Sequence, residues 1–252
     1  MDSEAAAAHR ALAAIWGRLT ETIEGARFEE RGDLVVAIAP GFPFPQCNGA
    51  WVTEDSAGAV AELPGVLAEV GASGARPWLQ TRSAHVETPA AARELGLTHV
   101  ERVPAMVVRP AGLAQPDVSV EVALIDEREV GAAVAMLAEA FEAPEGVLAR
   151  FAAACASVPE SRWYVGRRDG ALVSTALGIT LGDATGIFNV ATPREHRRSG
   201  SGAALTARAV RDGFAAGSTF AFLQSSELGL SVYRSLGFRE VEEYTLHTHP
   251  EP

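Results

Sequence analysis

Apolar positions beyond residue 117 follow strand and helix spacings in a regular order. The pattern predicts a strand at 118–125, helices at 130–141 and 147–158, strands at 163–166, 172–181 and 186–192, a helix at 203–214, a strand at 219–225, a short helix at 228–236 and a strand at 240–247. Asp169-Gly170 separates two of the strands and is a strong signal of a tight hairpin. The resulting order β-α-α-β-β-β-α-β-α-β predicts a mixed α/β domain.

The first half of the chain has a looser pattern. Apolar residues between Leu12 and Ile23 predict a long helix, and strands at 34–39 and 49–52 precede a helix at 60–70. Residues 111–116 are rich in Pro, Gly and Ala and form the best linker. We therefore predict an N-terminal domain at 1–110 and a second domain at 117–252.

Two short segments of the first half are echoed in the second half. Residues 95–102 share Leu, Gly, Val and Glu with residues 236–243 at matching positions. Residues 78–81, Trp-Leu-Gln-Thr, likewise resemble residues 222–225, Phe-Leu-Gln-Ser. Because both echoes occur in the same order, we expect a duplicated fold, with a smaller and altered copy in the first half.

The balance of charge narrows the classes of partner. The chain has 32 acidic residues against 21 basic ones, all of them arginine, and a formal net charge of −11. A polyanion would be repelled, so we expect no nucleic-acid partner, and a cationic substrate is the easier one. No apolar run reaches the length of about 18 residues that crosses a bilayer. Cys47 and Cys155 stand far apart with no metal-ligand spacing, so we predict a cytoplasmic protein with neither a metal site nor a membrane partner.

The segment Arg197-Arg198-Ser199-Gly200-Ser201-Gly202 carries the strongest chemical signal. It lies between a predicted strand and a predicted helix. The first N–H groups of a helix have no intrahelical acceptor and carry positive partial charge, so they favour an anion. A dinucleotide-binding fingerprint would need a third glycine where Leu205 stands, and a Walker motif would need lysine. The segment therefore predicts a phosphate site of another kind.

The second half resembles the GCN5-related N-acetyltransferases, the GNAT family. The family's signature Gln/Arg-x-x-Gly-x-Gly/Ala is met by residues 197–202, and its mark Leu-Tyr-x-x-x-Gly-Phe is matched by residues 232–238. The resemblance covers residues 117–248. It implies a mostly antiparallel GNAT sheet flanked by helices, with a second, smaller GNAT-like domain before it.

The resemblance also implies acetyl-coenzyme A as the cofactor. Its pyrophosphate would rest on the backbone N–H groups of the residues from Arg198 to Ala203, and Arg197 would lie beside them. The pantetheine arm would lie along Val190, Ala191 and Thr192, where the family commonly has a bulge. The Val190 N–H would then serve as an oxyanion donor. Ser226 stands where the family often has Asn, on the loop after the fifth strand, and takes that place in the expected coenzyme A contact.

Acyl transfer to an amine needs an acid for the thiolate and a base for the amine. Tyr233 is the candidate acid, although a packed core aromatic is a serious rival interpretation. Glu227 is a candidate base, with Asp183, Glu142 and Glu145 as others. We predict an N-acetyltransferase in which the amine attacks directly within a ternary complex. A coenzyme-A-binding sensor or interaction module without turnover is the alternative.

The copy in the first half lacks the phosphate signature. Glu54 and Asp55 stand where a pyrophosphate would need donors and positive charge. We expect this half to bind no coenzyme A. Its Phe44, Trp51 and Trp78 are more easily core residues than the wall of an acceptor cleft. The acceptor itself, a small molecule or a peptide amine, stays open, as does the choice between a monomer with an internal pseudo-dimer and a homodimer.

Overall fold

A computed structural model describes residues 3–42 and 44–250. The helices are α1 Glu4–Thr20, α2 Ala57–Ala72, α3 Glu87–Glu94, α4 Val130–Phe141, α5 Glu145–Ala156, α6 Ser201–Ala215 and α7 Leu230–Ser235. The strands are β1 Arg27–Arg31, β2 Leu34–Ile38, β3 Asn48–Val52, β4 Trp78–Arg82, β5 His99–Val108, β6 Glu121–Leu124, β7 Ser161–Arg168, β8 Ala171–Leu181, β9 Ala184–Ala191, β10 Phe220–Gln224 and β11 Arg239–Thr248. Every element predicted beyond residue 117 is present, with ends shifted by a few residues.

The chain folds into two compact units that are not contiguous in sequence. Unit 1 contains the residues up to Ala105 together with those from Val241 onward, and unit 2 contains Met106–Glu240. The sequence predicts a division into 1–110, 111–116 and 117–252, which follows the order of elements along the chain. The compact units differ from it mainly at the C-terminus, because β11 pairs antiparallel with β4, opposing Tyr244 to Arg82. The predicted domain limits stay a prediction.

Unit 1 contains strands in the order β1-β2-β3-β4-β11, and β5, most of which also belongs to unit 1, neighbours β11. The pairs β1–β2, β2–β3 and β4–β11 are antiparallel, whereas β3 and β4 are parallel. Apolar side chains of α2, such as Leu63 and Val66, pack with Leu34 and Leu79 of the strands into one core. Trp51 and Trp78 are buried and make an edge-to-face contact with ring centroids 4.9 Å apart, so both are core residues.

Unit 2 is a sheet with strand order β10-β9-β8-β7-β6. Only the β9–β10 pair among these is parallel. Leu205 and Val210 of α6 pack with Tyr164, Ile187 and other buried side chains into a second core. Arg208 and Asp212, one turn apart on α6, form an ion pair with Arg208 Nε 3.0 Å from an Asp212 carboxylate oxygen. The predicted fold class, a mixed and mostly antiparallel sheet flanked by helices, is confirmed.

The two units repeat one order of elements. Three antiparallel strands are followed by a helix, by a strand parallel to the third strand, and by a short helix: β1-β2-β3-α2-β4-α3 in unit 1 and β7-β8-β9-α6-β10-α7 in unit 2. The sequence echoes fall on equivalent positions. Gly96 after α3 and Gly237 after α7 have φ of +87° and +89°. In both cases the next residue donates its N–H five residues back, Leu97 to Ala92 and Phe238 to Tyr233.

The predicted linker packs onto unit 2 rather than standing free. The Ala114 N–H donates to the Leu236 carbonyl at 3.0 Å. A Cβ on Gly237 would lie 1.9 Å from the Gly112 carbonyl oxygen, so only glycine fits there. Among residues 3–42 and 44–250, no helix is long and apolar enough to cross a membrane, and no group of three or more His, Cys, Asp or Glu side chains could hold a metal ion.

Candidate functional site

The carboxyl ends of β9 and β10 diverge. The two parallel strands pair from Ala184 opposite Phe220 as far as Ile187 opposite Leu223. β9 then continues to Ala191, whereas β10 ends at Gln224. The edge of β9 that faces β10 is therefore left without a strand partner from Phe188 onward. Ligands of open α/β sheets bind at the carboxyl ends of parallel strands, and an exposed strand edge accepts an extended ligand.

A β-bulge lies in β9 beyond Ile187, where β9 still pairs with β8 but no longer with β10. Along β8 the register advances from Thr175 to Leu177, while along β9 it spans Phe188 to Ala191, so β9 has one extra residue. Asn189 takes the left-handed conformation with φ +51°, which asparagine tolerates better than most residues. A bulge re-aims backbone groups out of the ladder. The bulge that the resemblance implied next to Val190 is present, and the role of the Val190 N–H as an oxyanion donor stays a prediction.

The Arg197–Gly200 loop enters α6 through two left-handed residues. Arg198 has φ +59° and Gly200 has φ +78°. A Cβ on Gly200 would lie 2.2 Å from Cγ1 of Val118, so glycine is required here by conformation and by space. Within the described ranges, no acceptor is found for the N–H groups of residues 198–203. Six donors at the positive end of a helix make this loop an anion cradle.

The two serine hydroxyls of the loop serve the loop itself. Ser199 Oγ donates to the His196 carbonyl at 2.6 Å and lies 2.9 Å from Ser201 Oγ. Ser201 is buried. Ser199 and Ser201 can therefore donate to an anion through their backbone N–H groups. Gly202 lies beyond them, where a Cβ would be 3.5 Å from Val190 Cγ1, so the start of α6 sits directly beside the bulge.

Arginines surround the cradle. Arg197 and Arg198 are exposed, and Arg197 Nε donates to the Thr192 carbonyl at 3.1 Å, which ties the loop to the end of β9. Arg168, at the end of β7, donates through Nη2 to the Ser199 carbonyl at 3.2 Å and lies 3.5 Å from the Ser119 carbonyl. The sequence did not single out Arg168. The only signal for it was the Asp169-Gly170 hairpin, whose left-handed φ values of +50° and +78° place the end of β7.

Tyr233 lies on α7, half-buried. Its ring makes an edge-to-face contact with Phe238 at 5.9 Å between centroids, and a Cβ on Gly229 would lie 2.7 Å from its Cε2. Burial raises the pKa of the Tyr233 phenol to about 12, so it is protonated at neutral pH. Val190, Ala203 and Tyr233 are partly exposed and pack against the same core of unit 2. Tyr233 thus combines a packed ring with a protonated hydroxyl.

Ser226 and Glu227 are exposed on the loop after β10. The Ser226 carbonyl accepts from the Gly229 N–H at 3.0 Å and from the Ser225 hydroxyl at 2.8 Å, so the loop is internally braced. Because β10 is parallel to β9, this loop stands at the same edge as the anion cradle. Glu227 is therefore a candidate carboxylate at this end of the sheet.

Glu142 also lies near this end of the sheet, because it is 3.7 Å from Arg194, which follows the end of β9 by three residues; 82% of its side chain is exposed. Asp183 is less well placed. Asp183 precedes β9, and seven residue steps along that strand separate its ends by about 23 Å. The structure thus places Asp183 at the wrong end of the sheet, because the sequence does not show which strand ends share an edge. Glu145, at the first position of α5, follows Glu142 closely.

The equivalent edge of unit 1 has a different construction. β3 pairs with β4 as far as Trp51, one residue before β3 ends, and no bulge interrupts its register with β2. The Ser56 hydroxyl caps α2 by accepting from the Ala59 N–H. Asp55 accepts from the N–H and the hydroxyl of Thr88 at 2.8 and 2.7 Å. The unit 1 edge is thus filled by the chain's own side chains.

The charge state of Asp55 fits this arrangement. Burial acts to raise the pKa of the Asp55 carboxyl, but hydrogen bonds from the start of α3 outweigh it and lower the pKa to about 2. The residue equivalent to Tyr233 by the helix-end hydrogen bonds is Ala92. Unit 1 therefore has neither a glycine cradle nor a phenol at the matching place.

Comparisons with known proteins agree with the geometry. The sequence profile of the acetyltransferase (GNAT) domain matches residues 121–241. No curated protein matches the chain. The fold resembles a GCN5-related N-acetyltransferase from Kribbella flavida, with a TM-score of 0.77, 23% identity and coverage of 100% of this chain and 98% of that one.

Two further structures share the fold. A GCN5-related N-acetyltransferase from Sphaerobacter thermophilus has a TM-score of 0.61 and 16% identity, covering 97% of this chain and 93% of its own. A functionally unknown conserved protein from Staphylococcus epidermidis has a TM-score of 0.69 and 11% identity, covering 91% and 96%. At these identities the likeness concerns the fold alone, and it extends over both units.

Proposed function

Because residues 121–241 belong to the GNAT acetyltransferase family, we propose that this chain transfers an acetyl group from acetyl-coenzyme A to an amine within a ternary complex. One observation carries the proposal. At a single edge of unit 2, the unpaired and bulged end of β9 adjoins a loop with six N–H groups that meet no acceptor among the described residues.

The donors at this edge fit the chemistry of coenzyme A. The N–H groups of residues 198–203 and the guanidinium groups of Arg197 and Arg198 suit a pyrophosphate. The open edge of Val190, Ala191 and Thr192 suits the amide-containing pantetheine arm, which pairs with a strand as a peptide does. In this arrangement the Val190 N–H donates to the thioester oxygen as negative charge develops there.

The proton transfers decide what the side chains must do. An alkylammonium of pKa 10.4 is deprotonated about once in 2,500 at pH 7, which is a deficit of roughly 4 to 5 kcal/mol. Glu227, directly or through a water, accepts the proton of the acceptor amine. Tyr233 is the acid for the departing thiolate: a pKa of about 12 keeps its phenol protonated, and it donates a hydrogen bond to the sulfur, although it is a weaker acid than a thiol, whose pKa is near 8.5.

Unit 1 is proposed as a copy of the same fold that binds no coenzyme A. It repeats the order of elements, but its third strand has no bulge, Ser56 caps α2, and Ala92 takes the place of Tyr233. The Asp55 carboxylate would repel a pyrophosphate at this edge. One coenzyme A per chain is the expected stoichiometry.

A coenzyme-A-binding sensor without turnover is the second candidate. The exposed position of Glu227 favours it, since a general base in a water-excluded site is the more effective one. An assay of acetyl-coenzyme A consumption against a panel of small amines and peptide N-termini separates the two. Turnover of any amine that is lost in Tyr233→Phe supports the transferase. Binding without turnover of every acceptor supports the sensor.

A further inference from the structure

The anion cradle depends on the direction in which its N–H groups point. In a trans peptide the C=O and the following N–H point in opposite directions. The peptide that joins Ser199 to Gly200 therefore turns the Gly200 N–H away from whatever holds the Ser199 carbonyl. Glycine moves between left- and right-handed conformations at little cost, so this peptide is the one in the loop most free to flip.

Arg168 holds that carbonyl. Its Nη2 donates to the Ser199 oxygen at 3.2 Å and reaches the Ser119 oxygen at 3.5 Å. Val118 also packs against the loop at Gly200, because it occupies the space that a side chain at this position would need. Residues 118 and 119, which precede β6, and Arg168, which ends β7, thus brace one side of the loop.

We infer that Arg168 is a positioning residue for the anion cradle: by holding the Ser199 carbonyl, it directs the Gly200 N–H toward the bound pyrophosphate. The left-handed residues Asp169 and Gly170 form the turn that directly follows Arg168, and this turn positions the Arg168 backbone from which the guanidinium extends. The role in cofactor binding rests on the proposed function, whereas the orientation of the Gly200 peptide is a property of the free protein.

Three variants test the inference. Arg168→Met keeps the aliphatic stem and removes every donor, and Arg168→Lys retains a charge and a donor. Arg162→Met is the matched control, because Arg162 is an exposed arginine at the other end of the same strand, about 20 Å away. Calorimetry with coenzyme A gives the affinity, and NMR of the Gly200 amide in the free proteins reports the state of the peptide.

We expect Arg168→Met to weaken coenzyme A binding about tenfold, since hydrogen bonds to charged groups carry at least that much. The KM for acetyl-coenzyme A should rise while kcat changes little. The Gly200 amide of this variant should show exchange between two orientations, which Arg168→Lys reduces and Arg162→Met does not produce.

Two results would overturn the inference. One is an Arg168→Met variant that binds like Arg162→Met. The other is weaker binding with an unchanged Gly200 amide, which would make Arg168 a remote charge only. If the wild type binds no coenzyme A, the proposed function fails, and the Gly200 comparison in the free proteins still decides the positioning role. If Arg168→Met does not fold, Arg168→Lys is compared with the wild type in the same measurements.

Discussion

Replacing Gly200 with alanine tests how closely the anion cradle is fitted to its surroundings. The residue has φ +78°, a conformation that costs an L-residue about 1–2 kcal/mol. The added Cβ would lie 2.2 Å from Val118 Cγ1, whereas carbon atoms pack at about 3.5 Å, so the loop must move by more than ~1 Å. Overpacking of this kind costs a further 1–3 kcal/mol, roughly.

The expected total cost of the substitution is therefore about 2–5 kcal/mol, which lowers the stability of the folded protein unless the loop moves to relieve it. Because a shift of 1 Å misaligns several N–H donors together, coenzyme A should bind at least tenfold more weakly, by rough estimate. Thermal unfolding measures the first effect and calorimetry measures the second.

The chain offers a matched control and a rescue. Gly182, in the turn between β8 and β9, also has a left-handed φ, of +59°, and nothing lies within 4 Å of the point that an added Cβ would occupy, so Gly182→Ala should show only the conformational cost and normal binding. Adding Val118→Ala to Gly200→Ala removes the clashing methyl group and should restore part of the affinity. A Gly200→Ala protein that matches Gly182→Ala in both stability and affinity would refute the reasoning.

Three further predictions concern other parts of the molecule. Tyr233→Phe keeps the ring packed on Phe238 and removes the acid, so kcat should fall on the order of a hundredfold at every pH from 6 to 9 while affinity for coenzyme A stays; an unchanged kcat would exclude Tyr233 as the acid. Burial lowers the pKa of His9 from 6.5 to about 3, so its contribution to stability is complete above pH 6.5 and is lost as the pH falls toward 3, by up to ~1.4 kcal/mol per pH unit. His9→Leu should flatten this part of the stability profile measured by denaturant unfolding, and an equally steep profile would speak against it. Removing residues 241–252 takes β11 from unit 1, so hydrogen exchange in β4 should accelerate, whereas removing only 250–252 should not.

The sequence predicted the elements of unit 2 well because their apolar positions keep a clear period. It missed β1, where Phe28 is the one apolar residue of an edge strand rich in charge. It also missed α3, which buries only Thr88 and Ala92 and so shows no apolar face. Short and polar elements such as these are stabilised by their neighbours, and their own residues give little signal.

A local sequence pattern does not show which strands pair with each other. The alternation in β11 predicts a strand, but nothing within it shows that Tyr244 lies opposite Arg82 of the first half. The same holds for the site. The glycines and Tyr233 could be located from their spacing, whereas Arg168 and the misplacement of Asp183 depend on which strand ends meet. Long-range pairing decides both, and a single sequence does not record it.

Calorimetric titration of the wild-type chain with coenzyme A tests the central claim most directly, because it asks at once whether the edge of unit 2 binds the cofactor and whether unit 1 has lost that ability. The account predicts saturable binding of one coenzyme A per chain, weakened by the charge reversal Arg198→Glu in the cradle. No heat of binding at millimolar coenzyme A, or two equivalents bound per chain, would contradict it.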